Sequence, residues 1–331
     1  AIFDAAVVLG ATVTDLARTF AGEPFRLGDH VDRFYRSCRY ARIQPPIDRD
    51  ETEGVCRQLL AHNGALLEAG AEQAVVLFIS PGELSVYAGS AGGSDMTPTF
   101  CIHTFPLPFH LWRHFFDEVA HVVTPSVRQV PAACVDPKIK CRSRMHWWLA
   151  DGETHQVDPR AVSLCLDLQG NVTETAGSNF LIMRDGVIIS PSPDQILRGI
   201  SLLTVIELCD ELGIGFEERN FQVYDVVNAD EAYLATTPYC LAPVTKINGI
   251  DVGTGQPGPV FGPLMAAWSK RVGLDIVNQI RAASSASGPP VHPAGPRRRG
   301  RTATTPTPHH PRDADHPSGP RDRGPRPSPR T

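Results

Sequence analysis

The chain has no apolar run near the ~20 residues that a membrane span needs, so it is not expected to cross a bilayer. It opens AIFDAAVV, with no basic stretch leading into an apolar core, and nothing there marks it for secretion. Its eight cysteines form no CxxC pair and lie mostly in apolar runs such as SLCLDL and IELCDEL. That pattern fits free, reduced thiols in a cytoplasmic protein. No G-x-S-x-G elbow and no phosphate-binding P-loop is present. Lysine is the scarcest charged residue, with Lys138, Lys140, Lys246 and Lys270 set against 27 arginines.

What is present is ordinary for a globular protein: 331 residues, 42% hydrophobic and 20% charged, enough for about two domains. The net charge of −5 conceals an asymmetry. Residues 284–331 hold nine Arg and three Asp, a tail of +6, which leaves −11 on residues 1–283. An acidic body argues against nucleic acid as its partner, because phosphate binding needs a positive surface. The tail holds twelve of the thirty prolines, no aromatic residue, and Val291 as its only aliphatic larger than Ala. It has too little apolar area to offset the entropy of ordering and is expected to be disordered.

Periodicity predicts a mixed α and β body. Asp29 is placed to cap a helix running to Ala41, with Val31, Phe34, Cys38 and Ala41 on one face. A second helix is predicted over 50–69. QAVVLFIS, LSVYA and TFCIHTF read as strands. A loop at 122–137 is taken as the boundary between a small α/β domain (1–121) and a larger domain (138–283). In the larger domain CRSRMHWWLAD reads as a helix. Hairpins are expected around Gln169-Gly170, around Arg184-Asp185-Gly186 and in PVTKINGIDV. A helix from Ile200 to Leu212, with Ile200, Leu203, Ile206 and Leu212 inward, should end at Gly213. A last helix over 260–281 carries an apolar stripe from Phe261 to Ile280 that reads as core packing.

Two motifs resemble sites without supplying the context a site needs. GTGQPG (Gly253 to Gly258) matches a dinucleotide fingerprint, but no βαβ unit follows it. HLWRH sets His110 and His114 four apart, with Glu118 and His121 nearby, yet no Glu follows the first His as in a zinc helix. No metal is expected.

Scarce lysine narrows one kind of chemistry. If the protein holds a carbonyl cofactor as a Schiff base, its nucleophile is one of four residues. Lys246, in the KING turn, and Lys270, on the polar side of the last helix, look solvated. Lys138 and Lys140 lie in VDPKIKCRSRM, where strand alternation would send one inward and the other outward.

At VDPKIKCRSRM the chain resembles the fold-type-IV, or class IV, aminotransferases, which use pyridoxal 5'-phosphate (PLP). The resemblance covers about residues 5–281 and rests on several motifs in order. FRLGDHVDRFYRS resembles the segment whose Arg binds the cofactor phosphate, which implies Arg33. IKCRSR resembles the lysine segment and implies Lys140 as the Schiff-base and catalytic residue. VTETAGSNFLIMRDG implies Glu174 at the pyridine nitrogen. ILRGIS implies Ile200 and Ser201 at the phosphate, and ATTPYCLAPV implies Thr237, with Pro238 beside it and Tyr239 facing substrate. Ser143, Met145 and Leu202 stand where the family often has Asn, Tyr and Arg.

Each assignment has an independent physical reason. A lysine that bonds an aldehyde must lose its charge near neutral pH, which a partly buried cationic pocket promotes. A carboxylate at the pyridine nitrogen keeps the ring an electron sink. Phosphate suits the amides of a helix N-terminus together with an arginine. The resemblance implies a two-domain D-amino acid aminotransferase-like fold in which residues 138–283 bind PLP. It also implies a homodimer and transfer of an amino group from a branched-chain or other hydrophobic amino acid to 2-oxoglutarate. The alternatives are aminodeoxychorismate lyase on the same scaffold and a non-catalytic binding protein that kept the fold.

Overall fold

Two sheets carry the molecule, and each follows from where its apolar residues fall. The computed structural model describes residues 2–88, 97–118 and 120–283, so the Pro/Arg-rich tail lies outside the described residues. A four-residue helix α1 (Ala5–Val8) precedes strand β1 (Val13–Phe20), the short β2 (Glu23–Pro24), helices α2 (Leu27–Ala41) and α3 (Arg49–Gly64), β3 (Gln73–Ser80), α4 (Ser85–Ala88) and β4 (Thr99–Pro106). The strands make an antiparallel sheet in the order β2-β1-β3-β4. Val31, Phe34 and Cys38 of α2 and Cys56 and Leu60 of α3 pack on it against Val13, Ala17, Val75, Leu77 and Ile79.

Three expectations shift here. Helix α2 starts at Leu27, after Arg26 in the left-handed region (φ 53°), so Asp29 is not its cap. Asp29 instead accepts a hydrogen bond from Arg26 Nε at 2.5 Å. Helix α3 is capped by Asp48, which accepts from Glu51 N at 2.9 Å, and it ends at Gly64 rather than at 69. LSVYA is not a strand. Its Leu84 N–H is bound by Phe3 O at 3.0 Å, and the chain turns into α4. A tertiary tie overrides the β propensity of Val and Tyr.

The second sheet begins after helix α5 (His114–Asp117) with β5 (Ala120–Val123). Helix α6 (Met145–Val157), β6 (Val162–Leu166), β7 (Val172–Thr175), β8 (Asn179–Arg184), β9 (Val187–Ser190), α7 (Ile200–Leu212), β10 (Gly215–Glu218) and α8 (Val223–Val227) come next. Then follow β11 (Glu231–Thr236), β12 (Cys240–Ile247), β13 (Ile250–Asp251), α9 (Phe261–Val272) and α10 (Ile276–Ala282). The order is β10-β9-β8-β11-β12-β5-β6-β7, with β13 on β12. Because β7 also pairs back with β8 through Glu174↔Asn179, six strands close into a ring.

The turns behave as their residues require. Asp185-Gly186 (φ 50° and 82°) and Asn248-Gly249 (φ 49° and 81°) both sit in the left-handed region, as two-residue hairpin loops of type I′ demand. Helix α7 ends at Gly213 with φ 67° as expected, but its inward face differs. Leu202, Thr204, Val205, Leu208 and Cys209 are buried, whereas Leu212 is exposed. The 260–281 helix is two helices. Gly273 (φ 68°) ends α9, and Asp275 caps α10 by accepting from Asn278 N at 3.0 Å. The stripe packs as predicted, with Leu264, Met265, Trp268, Ile276 and Ile280 in the main core. Each such side chain contributes about 1.5–3 kcal/mol by leaving water.

Neither motif gains the surroundings a site needs among the described residues. GTGQPG is a turn after β13, where a Cβ on Gly258 would strike the Glu231 carboxyl carbon at 2.1 Å. His121 pairs with Asp158 and Glu118 with Arg160. Among the described residues no group of three or more His, Cys, Asp or Glu could hold a metal ion, and no helix is long and apolar enough to cross a membrane.

Candidate active site

The site forms where the segment after the 122–137 loop runs back along β1. Thr14 N donates to Lys140 O at 2.9 Å, Lys140 N to Ser37 Oγ at 3.3 Å, and Arg142 N to Thr12 Oγ1 at 2.9 Å. Residues 137–139 are turns rather than strand. Lys138 and Lys140 nevertheless part as alternation suggested: Lys138 is exposed and paired with Asp136 at 3.2 Å, and Lys140 is half-buried in a pocket. Of the four lysines, Lys140 is the one that lines this pocket.

Arg33, Glu174, Ile200, Ser201 and Thr237 line the same pocket, from α2, β7, α7 and the β11–β12 turn. Pro238 and Tyr239 stand behind this wall. Pro238 O accepts from Arg18 Nη1 at 2.8 Å. The Tyr239 ring packs against Phe115 (centroids 5.3 Å apart), and its hydroxyl shares a 2.8 Å hydrogen bond with Ser178, a pocket residue.

Arg33 is anchored before any ligand arrives. Its Nε and Nη2 donate to Asp15 Oδ2 and Oδ1 at 2.9 and 2.8 Å, and its Nη1 to Arg198 O at 3.0 Å. His30 Nδ1 lies 2.8 Å from Asp15 Oδ1. Burial alone would raise the Asp15 pKa. The Arg33 charge and the bonds from His30 and Arg33 hold it well below the usual carboxylate range. Burial also pulls His30 down, against the pull of Asp15.

Glu174 closes the barrel ring and faces the pocket. Its Oε2 accepts from Leu197 N at 3.2 Å and Asn179 Nδ2 at 3.3 Å, and Asn179 Nδ2 also donates to Leu197 O at 2.8 Å. Burial pushes the Glu174 carboxyl up to about 7, opposed by Leu197 N–H and by Lys140, Arg144 and Arg33. Burial brings Lys140 down to about 8; Arg33 and Arg144 push the same way, while Asp15 and Glu174 oppose. Helix α7 begins at Ile200 with no side chain on its first amides. Gly199 precedes it, and a Cβ there would meet Asn179 Oδ1 at 2.1 Å.

Sequence reasoning passed over Asp15, Asn179, Gly199 and Arg144. A charge inside the β1 run TDLARTF was a signal for Asp15. Asn179 and Gly199 stood inside quoted motifs without a role.

These residues fit PLP on chemical grounds. A half-buried carboxylate with no cation within ion-pair distance among the described residues suits a protonated ring nitrogen. Bare helix amides beside an anchored arginine suit a phosphate. A lysine near neutrality suits an aldehyde.

Comparison with known proteins agrees. The backbone matches the crystal structure of a T.th. branched-chain amino acid aminotransferase with pyridoxamine 5'-phosphate, with a TM-score of 0.71, 24% identity, and coverage of 82% of this chain and 88% of that one. That match defines the fold. The family model "Amino-transferase class IV" matches residues 12–247. The chain belongs to this family and is a PLP-dependent aminotransferase. It is 29% identical over 260 residues to the "Putative branched-chain-amino-acid aminotransferase" of Methanocaldococcus jannaschii, spanning 78% of this chain and 86% of that one. It is 26% identical over 275 residues to a D-alanine aminotransferase of Listeria monocytogenes, spanning 80% and 87%.

Proposed function

We propose that this enzyme moves the amino group of a branched-chain or other hydrophobic amino acid to 2-oxoglutarate, with Lys140 as its catalytic residue. The observation that carries this is a single pocket in which Lys140 and Glu174 face the space between Arg33 and the start of α7. Ala41, Ile43, Val130, Val135 and Trp147 line the same pocket and favour an apolar substrate side chain.

Arg33, the amides of Ile200 and Ser201, and the hydroxyls of Ser201 and Thr237 would hold the cofactor phosphate. Glu174, steadied by Asn179 and Leu197 N–H, would hold the ring nitrogen. When bound, the cofactor supplies an aldehyde for the amine and a ring that accepts electron density from the substrate carbon. Lys140 Nζ must be neutral to bond that aldehyde and to take the proton from the substrate α-carbon, and burial brings it close to neutrality. Ser178 links the pocket to Tyr239, through which Tyr239 would set the shape of the substrate end.

We place the enzyme in the cytoplasm, where its free thiols suit a reducing compartment. We also assign it as a homodimer. The exposed Met145, Trp148 and Leu149 at the start of α6, beside the pocket wall, support that assembly.

Borohydride trapping of the PLP-loaded protein, followed by peptide mapping, should label Lys140. Glutamate should form from 2-oxoglutarate with L-leucine or L-valine. A label on Lys138, Lys246 or Lys270, or no label, overturns the site. Activity with D-alanine alone, or p-aminobenzoate formed from aminodeoxychorismate, overturns the substrate assignment.

A further inference from the structure

Arg18 of β1 is only 1% exposed, yet among the described residues no carboxylate lies within 4 Å of its guanidinium. All three of its nitrogens are nevertheless bound. Nε donates to Thr19 O at 3.0 Å, Nη1 to Pro238 O at 2.8 Å and Nη2 to Gln279 Oε1 at 2.8 Å. The guanidinium carbon stands 3.8 Å from the centre of the Phe20 ring and 5.0 Å from that of Phe109. Gln279 in turn donates from Nε2 to Glu72 Oε1 at 3.1 Å, so an amide stands between Arg18 and a buried acid. Burying a charge with no counter-charge beside it works against stability. What the charge brings is a planar fork that reaches β1, α10 and the β11–β12 turn at once, which a lysine cannot do.

The turn that Arg18 holds is strained. Cys240 has a φ of 64°, in the left-handed region that favours glycine. Such a residue persists where its surroundings over-determine it. Here they do so residue by residue. Thr236 Oγ1 donates to Gly177 O at 2.6 Å, Pro238 O accepts from Arg18, and the Tyr239 hydroxyl shares its bond with Ser178. The Arg18 charge also opposes the rise that burial gives the Cys240 thiol. Thr237 is the exception. It lines the pocket, and among the described residues its hydroxyl makes no hydrogen bond. Its backbone has little freedom, because a residue before proline is held to extended conformations and the carbonyl of that proline is pinned.

Resting on the function proposed above, in which Thr237 meets the cofactor phosphate, we propose that Arg18 is a positioning residue for that contact. Through the Pro238 carbonyl it holds the β11–β12 turn at the setting in which the Thr237 hydroxyl reaches the phosphate. Arg18 does not itself line the pocket. Gln279 steadies the far side of the fork, so α10 supports the phosphate end of the pocket from behind.

The test uses the full chain freed of cofactor, as wild type, Arg18→Lys, Thr237→Val and the double variant. The probes are PLP and pyridoxal, the same ring without its phosphate, with binding read by absorbance titration. Loss of a hydrogen bond to a charged group should weaken PLP about 10–100-fold in Thr237→Val, while pyridoxal changes less than about two-fold in every variant. Arg18→Lys should weaken PLP by at least about five-fold without exceeding the Thr237→Val loss, and the double variant should lose no more than Thr237→Val alone. If Arg18→Lys does not fold, Gln279→Met, which leaves the guanidinium in place and removes one of its anchors, carries the same comparisons. PLP affinity unchanged in the folded variant, or equal losses for PLP and pyridoxal, overturns the inference by leaving Arg18 a role in stability alone. Losses that multiply in the double variant overturn it by separating Arg18 from Thr237. PLP bound normally by Thr237→Val also overturns it, while the label on Lys140 keeps the proposed function standing. A wild type that takes up no cofactor on Lys140 removes the proposed function, and this inference with it.

Discussion

Replacing Asp15 with Asn should cost this protein more than any surface change of charge, and the amount can be worked from the geometry. Asp15 is fully buried, and the Arg33 side chain is only 6% exposed. The carboxylate takes two hydrogen bonds from Arg33 and one contact from His30. Asn keeps the shape but turns an NH2 group toward donors and leaves the guanidinium without a counter-charge. Breaking a buried pair in this way costs about 3–5 kcal/mol. For a chain of this size that lowers Tm by roughly 5–8 °C. The assay is urea and thermal unfolding of wild type and Asp15→Asn, with and without PLP. Added PLP should recover part of the loss, because its phosphate brings a new anion to Arg33. The pH dependence follows from the sign of the shift. The folded Asp15 pKa lies well below its ordinary 3.8, so its contribution is complete above that value and is lost as pH falls further. The gap between the two proteins should hold at pH 7 and narrow below about pH 4. A loss smaller than about 1 kcal/mol at pH 7 would refute the reasoning, because it would mean that Arg33 does not depend on Asp15.

Three further outcomes are expected. Lys140→Ala should abolish the absorption band of the loaded enzyme and lower transamination by at least about 10²–10⁴-fold, measured as glutamate formed. Uptake of PLP by cofactor-free protein, followed by absorbance, should speed up as pH rises through about 8 and then level off, because Lys140 must first lose its proton. A rate that is flat from pH 6 to 9 would contradict that. Gly199→Ala should drive Asn179 out of place and weaken PLP binding, at a cost of about 1–3 kcal/mol in stability, while Gly262→Ala in α9, whose added Cβ meets nothing, should leave PLP binding unchanged and stability unchanged or raised by up to about 1 kcal/mol.

Much of the lining of the candidate pocket could be read in advance because the chemistry proposed for it needs rare residues in local segments. Four lysines leave few choices, and Arg33, Glu174 and Ser201 each sit in a short motif. Long-range partners could not be read this way. Nothing local to Asp15 says that Arg33, eighteen positions on, will fold onto it, or that Arg144 will reach Ala176. Pro238 and Tyr239 show the same limit: adjacency to Thr237 in sequence does not put a side chain on the same surface. In the fold, ISLLTVIELCDEL is apolar on nearly every side, so periodicity could not choose its inward face. The face is set by the sheet and α9, and Thr204 can be buried because its hydroxyl returns to Ile200 O at 3.0 Å. The break between α9 and α10 was written in Gly273 and Asp275, a stop and a cap. An uninterrupted stripe at three- and four-residue steps concealed it.

The ring of strands joins β7 to β8 by one residue pair, and that pair is Glu174 with Asn179. The thinnest seam of the barrel and one end of the proposed reaction centre are therefore the same place. Fraying there would silence the enzyme while the rest of the molecule stayed native. Loss of turnover on warming should thus run ahead of the loss of circular dichroism, and a bound cofactor would act as the clasp that keeps the barrel shut.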